Sequence, residues 1–173
     1  MGNVKIGNME ISIGDLVLFV GGLLMLISIF LTWTVIYPAL GSNTNVSGMN
    51  LISGKIDDKS VAISFLGKAP LFMLIFGIIA MILAALPLFK VNVPALKIVG
   101  AVAALIGLIF AILYLTVGGG AGLYTGSDKD AAEAAIKLAI FKMSLGFGAY
   151  FALIASIVAT VGGVLNVIPM FKK

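Results

Sequence analysis

Four long apolar stretches dominate this sequence, and none of them contains Asp, Glu, Lys or Arg. They cover residues 16–37, 69–89, 98–118 and 143–171. A helix needs about 20 consecutive apolar residues to cross roughly 30 Å of hydrocarbon. Helices also satisfy their own backbone hydrogen bonds, which lipid requires. The sequence therefore predicts an all-α protein of the cell membrane, with a four-transmembrane-helix bundle formed by a single domain of residues 1–173.

The composition agrees with a membrane location and excludes several kinds of chemistry. The chain is 61% hydrophobic with a mean hydropathy of +1.22, more apolar surface than a soluble domain of this size can bury. Its net charge of +4 is spread along the chain, so no basic stripe indicates nucleic-acid binding. Every basic residue is lysine, as is typical of an AT-rich prokaryotic or archaeal gene. The absence of cysteine and histidine excludes disulfides and thiolate or imidazole metal sites.

The loops predict an orientation. Two long loops, 41–68 and 119–142, alternate with the short connector 90–97, which is basic and free of acidic residues. Positive charges in short loops favour the cytoplasmic side, so we expect both termini to be cytoplasmic and the two long loops to lie outside. Asn45-Val46-Ser47 in the first outer loop matches the N-glycosylation acceptor, which makes Asn45 a possible glycosylation site.

Each outer loop has its own local pattern. In the first, runs rich in branched residues at 46–56 and 60–66 flank a turn candidate at 57–59, which predicts a small β-hairpin. In the second, the glycine-rich stretch 118–122 ends helix three, and Ser127–Asp130 matches a capping box. Residues 131–141 favour helix. We therefore expect an extended fourth helix of about 60 Å that begins near Asp128 and projects beyond the bilayer.

Two further groups of residues have expected structural roles. Aromatic and lysine side chains at span ends are typical membrane-interface anchors; here they are Trp33, Tyr37, Phe89, Lys90, Lys97, Phe171 and Lys172. Small residues at helical spacing allow close approach of spans; here they are Gly77, Ala80, Ala84, Gly100, Ala104, Gly107, Gly148, Ala152, Ala159 and Gly163. They predict helix packing within one chain, and spans three and four carry enough of them to leave room for oligomerisation.

The sequence indicates no catalytic, cofactor-binding or metal-binding residues. The spans offer only hydroxyls, tyrosines and Asn166, and span hydroxyls are usually bonded to the backbone of the preceding turn. We expect Asn166 to make an interhelical hydrogen bond. The acidic residues of the outer loops lack the spacing of a calcium loop and are interpreted as solvated surface.

One resemblance follows from Trp33 at the exit of span one and Gly48-Met49-Asn50 in the first loop. This part of the chain is similar to the claudin and peripheral-myelin-protein group of tetraspan membrane proteins. The first loop of that group carries Trp, then Gly-Leu-Trp, then two cysteines. Gly48 matches that pattern, whereas Asn50 replaces the second Trp and both cysteines are missing. The resemblance covers span one and the first loop, and it implies a small outer sheet on a four-helix bundle.

These observations favour a non-enzymatic membrane protein that works through protein–protein contacts, as a self-assembling structural component or an accessory subunit. We expect its partners to be membrane lipid and either further copies of itself or the subunits of a larger membrane complex. The alternative is an oligomeric channel or pore for neutral or small solutes, which would present a polar stripe along a full span.

Overall fold

The computed structural model describes residues 3–6, 9–91 and 93–171. Within these residues the chain forms six α-helices: α1 (Ile13–Ser28), α2 (Gly48–Ser53), α3 (Ala69–Ala85), α4 (Pro94–Val117), α5 (Gly126–Lys137) and α6 (Phe147–Val167). Short 3-10 turns, Leu86–Phe89 and Ile168–Phe171, extend α3 and α6. Three helical segments are long and apolar enough to cross a membrane: Ala69–Phe89, Pro94–Val117 and Phe147–Phe171. The protein is therefore mostly helical and its apolar helices indicate a membrane location.

Helices α1, α3, α4 and α6 form a ring in which each helix packs against two neighbours. Helix α1 lies between α3 and α6, and α4 completes the ring on the opposite side. Contacts between α1 and α6 run in reverse order, with Gly14 near Asn166 and Gly21 near Ala159. Neighbouring helices in the ring are antiparallel, which is an up-down-up-down arrangement.

The strands of the described residues form three small antiparallel sheets. Strands β1 (Asn3–Ile6) and β2 (Met9–Ser12) pair ahead of α1. A three-stranded sheet has the order β4-β3-β7, with β3 (Thr32–Pro38) between β4 (Thr44–Ser47) and β7 (Phe141–Leu145). Strands β5 (Lys55–Ile56) and β6 (Lys59–Ser60) form a minimal hairpin. Because β7 comes from the second long loop, it joins both loops into one structure, which we call the cap (residues 32–66 and 118–146).

The first apolar stretch is not one helix, and the prediction of a helix over residues 16–37 is wrong. Helix α1 begins earlier, at Ile13, and ends at Ser28, and Thr32–Pro38 is the central strand of the cap. The run Thr32-Trp-Thr-Val-Ile-Tyr37 is rich in β-branched and aromatic residues that favour strands. Hydropathy cannot separate such a strand from a continuing helix. At 16 residues, α1 falls short of the three candidate spans.

The extended fourth helix is also wrong. The helix predicted from Asp128 forms as α5, but it ends at Lys137, and β7 separates it from α6. Ala139 has φ +55°, which breaks the helical path, and Phe141–Leu145 then pairs with β3. The spans predicted at 69–89 and 98–118 agree with Ala69–Phe89 and Pro94–Val117, whereas α6 begins at Phe147 rather than near residue 143.

The hairpin predicted in the first loop forms only around its turn. Asp57 and Asp58 both have positive φ and connect β5 to β6, which are two residues long. The segment expected to be its first strand instead contains α2. The side chain of Ser47 caps α2 by accepting the N–H of Asn50, and the Asn50 side chain accepts the Ser47 N–H in return. This local capping box outweighs the β propensity of the segment.

Candidate functional site

The cap contains a cavity of about 550 Å³, which lies within the size range of small-molecule sites. Its walls come from β3, the β5–β6 hairpin, the segment before α5, α5 itself and β7. Most of the lining is apolar, with three charged side chains and one tyrosine. The lining residues are Ile36, Ile56, Asp57, Lys59, Val61, Tyr124, Asp128, Ala131, Ala132, Ala135 and Phe141.

Two carboxylates in this cavity are held in place by hydrogen bonds. Asp57 Oδ2 accepts from the hydroxyl of Thr44 at 2.9 Å, and Asp128 Oδ2 accepts the backbone N–H of Ala62 at 2.6 Å. No other hydrogen bond from the described residues reaches either carboxylate.

Tyr124 is the buried polar residue of the cavity. Only 8% of the residue is exposed, and its hydroxyl, which has no hydrogen-bond partner among the described residues, reaches solvent. Burial raises the pKa of Tyr124, and the negative charge of Asp128 raises it further. The phenol therefore stays protonated and can both donate and accept a hydrogen bond within the cavity.

The far end of the cap carries exposed apolar side chains. The turn after β3 meets the turn before β7, where the Ala39 N–H donates to the Ile140 carbonyl at 2.7 Å. Leu40 is 92% exposed, Leu138 72% and Ile140 54%. We call residues 38–40 and 138–140 the cap tip. Strand β3 leads from the bundle to this tip, a distance of roughly 20 Å at about 3.3 Å per residue.

A polar cluster closes the opposite end of the bundle. Asp15 is 2% exposed and accepts a hydrogen bond from Asn166 Nδ2 at 2.8 Å, while Lys97 Nζ lies 3.6 Å from its other oxygen. The Ser12 hydroxyl lies 2.6 Å from Asp15 Oδ2 and accepts the Asp15 N–H, which caps α1. Pairing and hydrogen bonding make this buried carboxylate tolerable. The interhelical bond expected of Asn166 is confirmed.

Sequence reasoning missed Asp15 because it lies just outside the first apolar stretch. Its signal was Ser12 three residues ahead of an acidic residue at the start of an apolar run, the pattern of a capped helix N-terminus. Nothing in the sequence indicated that Lys97 would reach this carboxylate. Lys97 was predicted to extend to the membrane interface, and instead its side chain turns towards the bundle, with 21% of it exposed.

The remaining predicted anchors divide between the core and the surface. Trp33 is fully buried, so its prediction as an interface anchor is wrong. Its Nε1–H donates to the Ser28 carbonyl at 2.7 Å, and its ring meets Tyr114 edge to face. Tyr37 is 39% exposed and lies on the cap. Phe89, Lys90 and Phe171 are exposed at bundle ends, and Lys172 lies outside the described residues.

All ten residues predicted for helix packing are buried. A methyl group on Gly77 would meet the Gly22 carbonyl of α1 at 3.1 Å, and one on Gly163 would meet Ala101 Cα of α4 at 2.6 Å. Gly148 instead packs against Trp33 of the cap strand. These small residues therefore lie at contacts within the chain.

Hydroxyls in the helices bond to their own backbone. Ser28 donates to the Met25 carbonyl at 2.6 Å, Thr116 to Leu113 at 2.6 Å and Thr160 to Ser156 at 2.7 Å. The interpretation of span hydroxyls as locally satisfied is confirmed for these residues. Asn45 is exposed on β4, and no group of three potential metal ligands occurs among the residues that the structure describes.

Comparison with protein-family models, with curated proteins and with solved structures found no match to this chain.

Proposed function

We propose that the chain is a four-span, non-enzymatic membrane protein whose work is done by protein–protein contacts through its cap. The observation that carries this proposal is the cap tip. Apolar side chains within the bilayer are covered by lipid, but the tip lies on the cap, at the end of β3 away from the bundle, and would be exposed to water. Exposed apolar side chains grouped at one place are typical of protein interaction sites.

The outer face of α1 supports a fourth span. Its exposed residues are all large and apolar and recur every three or four positions: Ile13, Leu16, Val20, Leu23 and Ile27. Such a stripe faces lipid when its helix lies in a membrane. Because α1 also packs along α3 and α6, we infer that it shares their hydrocarbon layer although it is only about 24 Å long.

Exposed phenylalanines support a membrane boundary at each end of the bundle. Phe30, Phe65 and Phe147, at the cap ends of α1, α3 and α6, are 66–70% exposed. Phe89 and Phe171 stand at the other ends of α3 and α6 and are 75% and 80% exposed. The 21-residue segment between the two levels in α3 is about 30 Å long, which fits the hydrocarbon thickness of a bilayer.

The proposed orientation places the cap outside and both termini in the cytoplasm, because the α3–α4 connector is short and basic. A cysteine at the exposed cap residue Ser53 should label with a membrane-impermeant maleimide in intact cells. A cysteine at the exposed connector residue Val93 should label only after permeabilisation. The chain has no native cysteine, so no background needs removal. The reverse labelling pattern would overturn the orientation.

Replacing the apolar tip tests the proposed contact function. We expect native mass spectrometry after mild extraction to detect a complex, either of identical copies or with other subunits. The double variant Leu40→Glu/Leu138→Glu should dissociate that complex. The matched control Ser53→Glu/Ser127→Glu places the same charges at exposed cap positions and should leave it intact. A complex that survives both changes, or a wild-type protein that is always monomeric, would refute this function.

Several features favour this function over a pore. The centre of the bundle is filled by Met25, Met73 and Tyr114, all fully buried, and the helix hydroxyls are engaged by their own backbone. A neutral path through one chain has no supporting observation among the described residues. If copies formed a pore between them, liposomes containing the protein would show solute flux. That flux would be lost when the double variant Leu40→Glu/Leu138→Glu dissociates the oligomer.

The claudin and peripheral-myelin-protein resemblance remains part of the proposal. It implies a small outer sheet, and the sheet here contains Trp33 in its central strand and takes β7 from the second loop. A junction-forming role has no support from the residues of the first loop, since both cysteines are missing.

A further inference from the structure

From the exposed side of α5, we infer that the partner at the cap is a second copy of this chain, bound through two antiparallel α5 helices that are related by a two-fold axis. The inference rests on the proposed contact function and names the partner for it. Three observations support it: this side of α5 is exposed, its two ends carry opposite charges, and it continues into the apolar cap tip.

The exposed residues of α5 lie on one side of the helix. At about 100° per residue they fall within roughly 120° of one another around the helix axis. Ala132, on the opposite side, is buried against the cap. We use the name α5 face for these exposed residues: Asp130, Ala131, Ala134, Lys137 and Leu138.

The two ends of the α5 face carry opposite charges. Asp130 and Lys137 are two helical turns apart, about 10 Å along the axis, and neither forms an ion pair with another described residue. Lys129 and Glu133, to one side of the face, pair with each other at 3.7 Å. A second α5 that runs in the opposite direction places its Lys137 against Asp130 and its Asp130 against Lys137. The face is therefore complementary to itself, as a two-fold contact requires.

Leu138 adds an apolar contact to the two ion pairs. Exposed ion pairs alone contribute little to affinity, because water screens them. Leu138 belongs to both the α5 face and the cap tip and is 72% exposed. In the antiparallel arrangement it lies over Ala131 of the second copy, where the short side chain leaves room. The two-fold axis repeats this contact, so that two leucines are removed from water at once.

The membrane-spanning helices offer no comparable face in the part of the chain that the structure describes. Their small residues lie at contacts within the chain, and their outer sides carry large apolar residues. Lipid tails cover such sides as well as another helix would. We therefore expect the second copy at the cap and not between the spans.

Charge reversal tests the pairing with a result that damage to the fold cannot produce. Lys137→Glu alone, or Asp130→Lys alone, turns both ion pairs of the dimer into repulsions and should weaken dimerisation of the full chain at least about tenfold. Mixing these two variants should restore a dimer, because both contacts of the heterodimer then join opposite charges. Native mass spectrometry after mild extraction measures both effects, with one variant carrying a mass tag.

Two control variants keep the contact intact. Lys129→Glu reverses a charge on the same helix outside the α5 face and should leave the dimer unchanged. Ser127→Glu, used above as a control for the tip, adds an acid at the acidic end of the face and should also leave it intact.

A cysteine near the two-fold axis gives an independent test. Ala134 is the residue of the α5 face nearest the midpoint between Asp130 and Lys137. Ala134→Cys should therefore form a disulfide with its own counterpart on mild oxidation in the membrane, whereas Lys129→Cys should not. The chain has no native cysteine that could interfere.

The outcomes separate this inference from the proposed function. If Leu40→Glu/Leu138→Glu dissociates a complex that the charge variants leave intact, the contact function stands and the second copy is refuted. Failure of the mixed variants to form a heterodimer, or equal cross-linking at positions 129 and 134, would refute the antiparallel arrangement. A wild-type protein that is always monomeric would refute both proposals.

Discussion

A buried hydrogen-bond chain links the cap to the bundle, and its pairwise structure predicts that one mutation will partly reverse another. Thr34 in β3 is fully buried, with its hydroxyl 2.6 Å from the Gly118 carbonyl and 2.7 Å from the Tyr114 hydroxyl. A threonine hydroxyl has one proton, which the carbonyl must receive, since a carbonyl cannot donate. Tyr114 therefore donates to Thr34.

The number of buried groups left unpaired sets the expected magnitudes. Thr34→Val leaves both the Tyr114 hydroxyl and the Gly118 carbonyl unpaired, at about 1–3 kcal/mol each, so we expect a loss of about 3 kcal/mol. Tyr114→Phe leaves the Thr34–Gly118 bond intact and should cost about 1 kcal/mol. In the double variant only the carbonyl is unpaired, and the loss should be about 2 kcal/mol.

Adding Tyr114→Phe to Thr34→Val should therefore stabilise the protein by about 1 kcal/mol, although the same change destabilises the wild type. The free energy of unfolding can be measured by denaturant titration in mixed micelles. Far-UV circular dichroism and the emission of the sole tryptophan, which packs on Tyr114, serve as two probes. A double variant as unstable as the sum of the two single changes would refute the assignment of donor and acceptor.

Three further predictions concern other parts of the molecule. Gly162→Ala should lower the free energy of unfolding by about 1–3 kcal/mol in the same titration, because the new methyl group would overlap the backbone of α1. As a control, the methyl group of Gly120→Ala would meet no atom within 4 Å, so this variant should keep the stability of the wild type. The pKa of Tyr124 can be measured from phenolate absorbance by subtracting the titration of Tyr124→Phe from that of the wild type. The pKa should lie above 10, and it should be lower in Asp128→Asn, which removes the neighbouring negative charge. Because this pKa is raised on folding, its stabilising contribution is complete below pH 10 and declines as the pH rises through the folded value. Asp15→Leu should lower the unfolding free energy by about 3–5 kcal/mol, because it leaves a partly buried lysine unpaired.

The sequence was most informative where a pattern was local. The spans at 69–89 and 98–118 and the turn at Asp57 follow from apolar runs and turn residues. The helix near Asp128 follows from its helix-forming residues, but the predicted capping box is wrong, because α5 begins at Gly126 after Thr125 with no side-chain cap. Each depends on neighbours within a few positions. For the same reason the interhelical role of Asn166 was predictable, since an amide buried in an apolar span needs a partner, whereas the identity of that partner was not.

The errors share one cause, which is pairing across the chain. Residues 32–38 and 141–145 each lie next to a helix-forming run, and nothing local separates them from it. They become strands because β3 and β7 pair over a separation of about 110 residues along the chain. A single sequence cannot weigh such a contact. The cavity was unpredictable for the same reason, because its two carboxylates come from different outer loops.

The three-stranded sheet also explains how the cap is held on the bundle. Strand β3 follows α1 after only three residues, and β7 precedes α6 with Gly146 as the single link. The two strands are hydrogen-bonded to each other, and the two helices joined to them, α1 and α6, pack together through Gly21 and Gly162. The cap therefore has two covalent connections to one tightly packed helix pair. A partner at the cap tip would act on β3 and β7 and, through them, on the contact between α1 and α6.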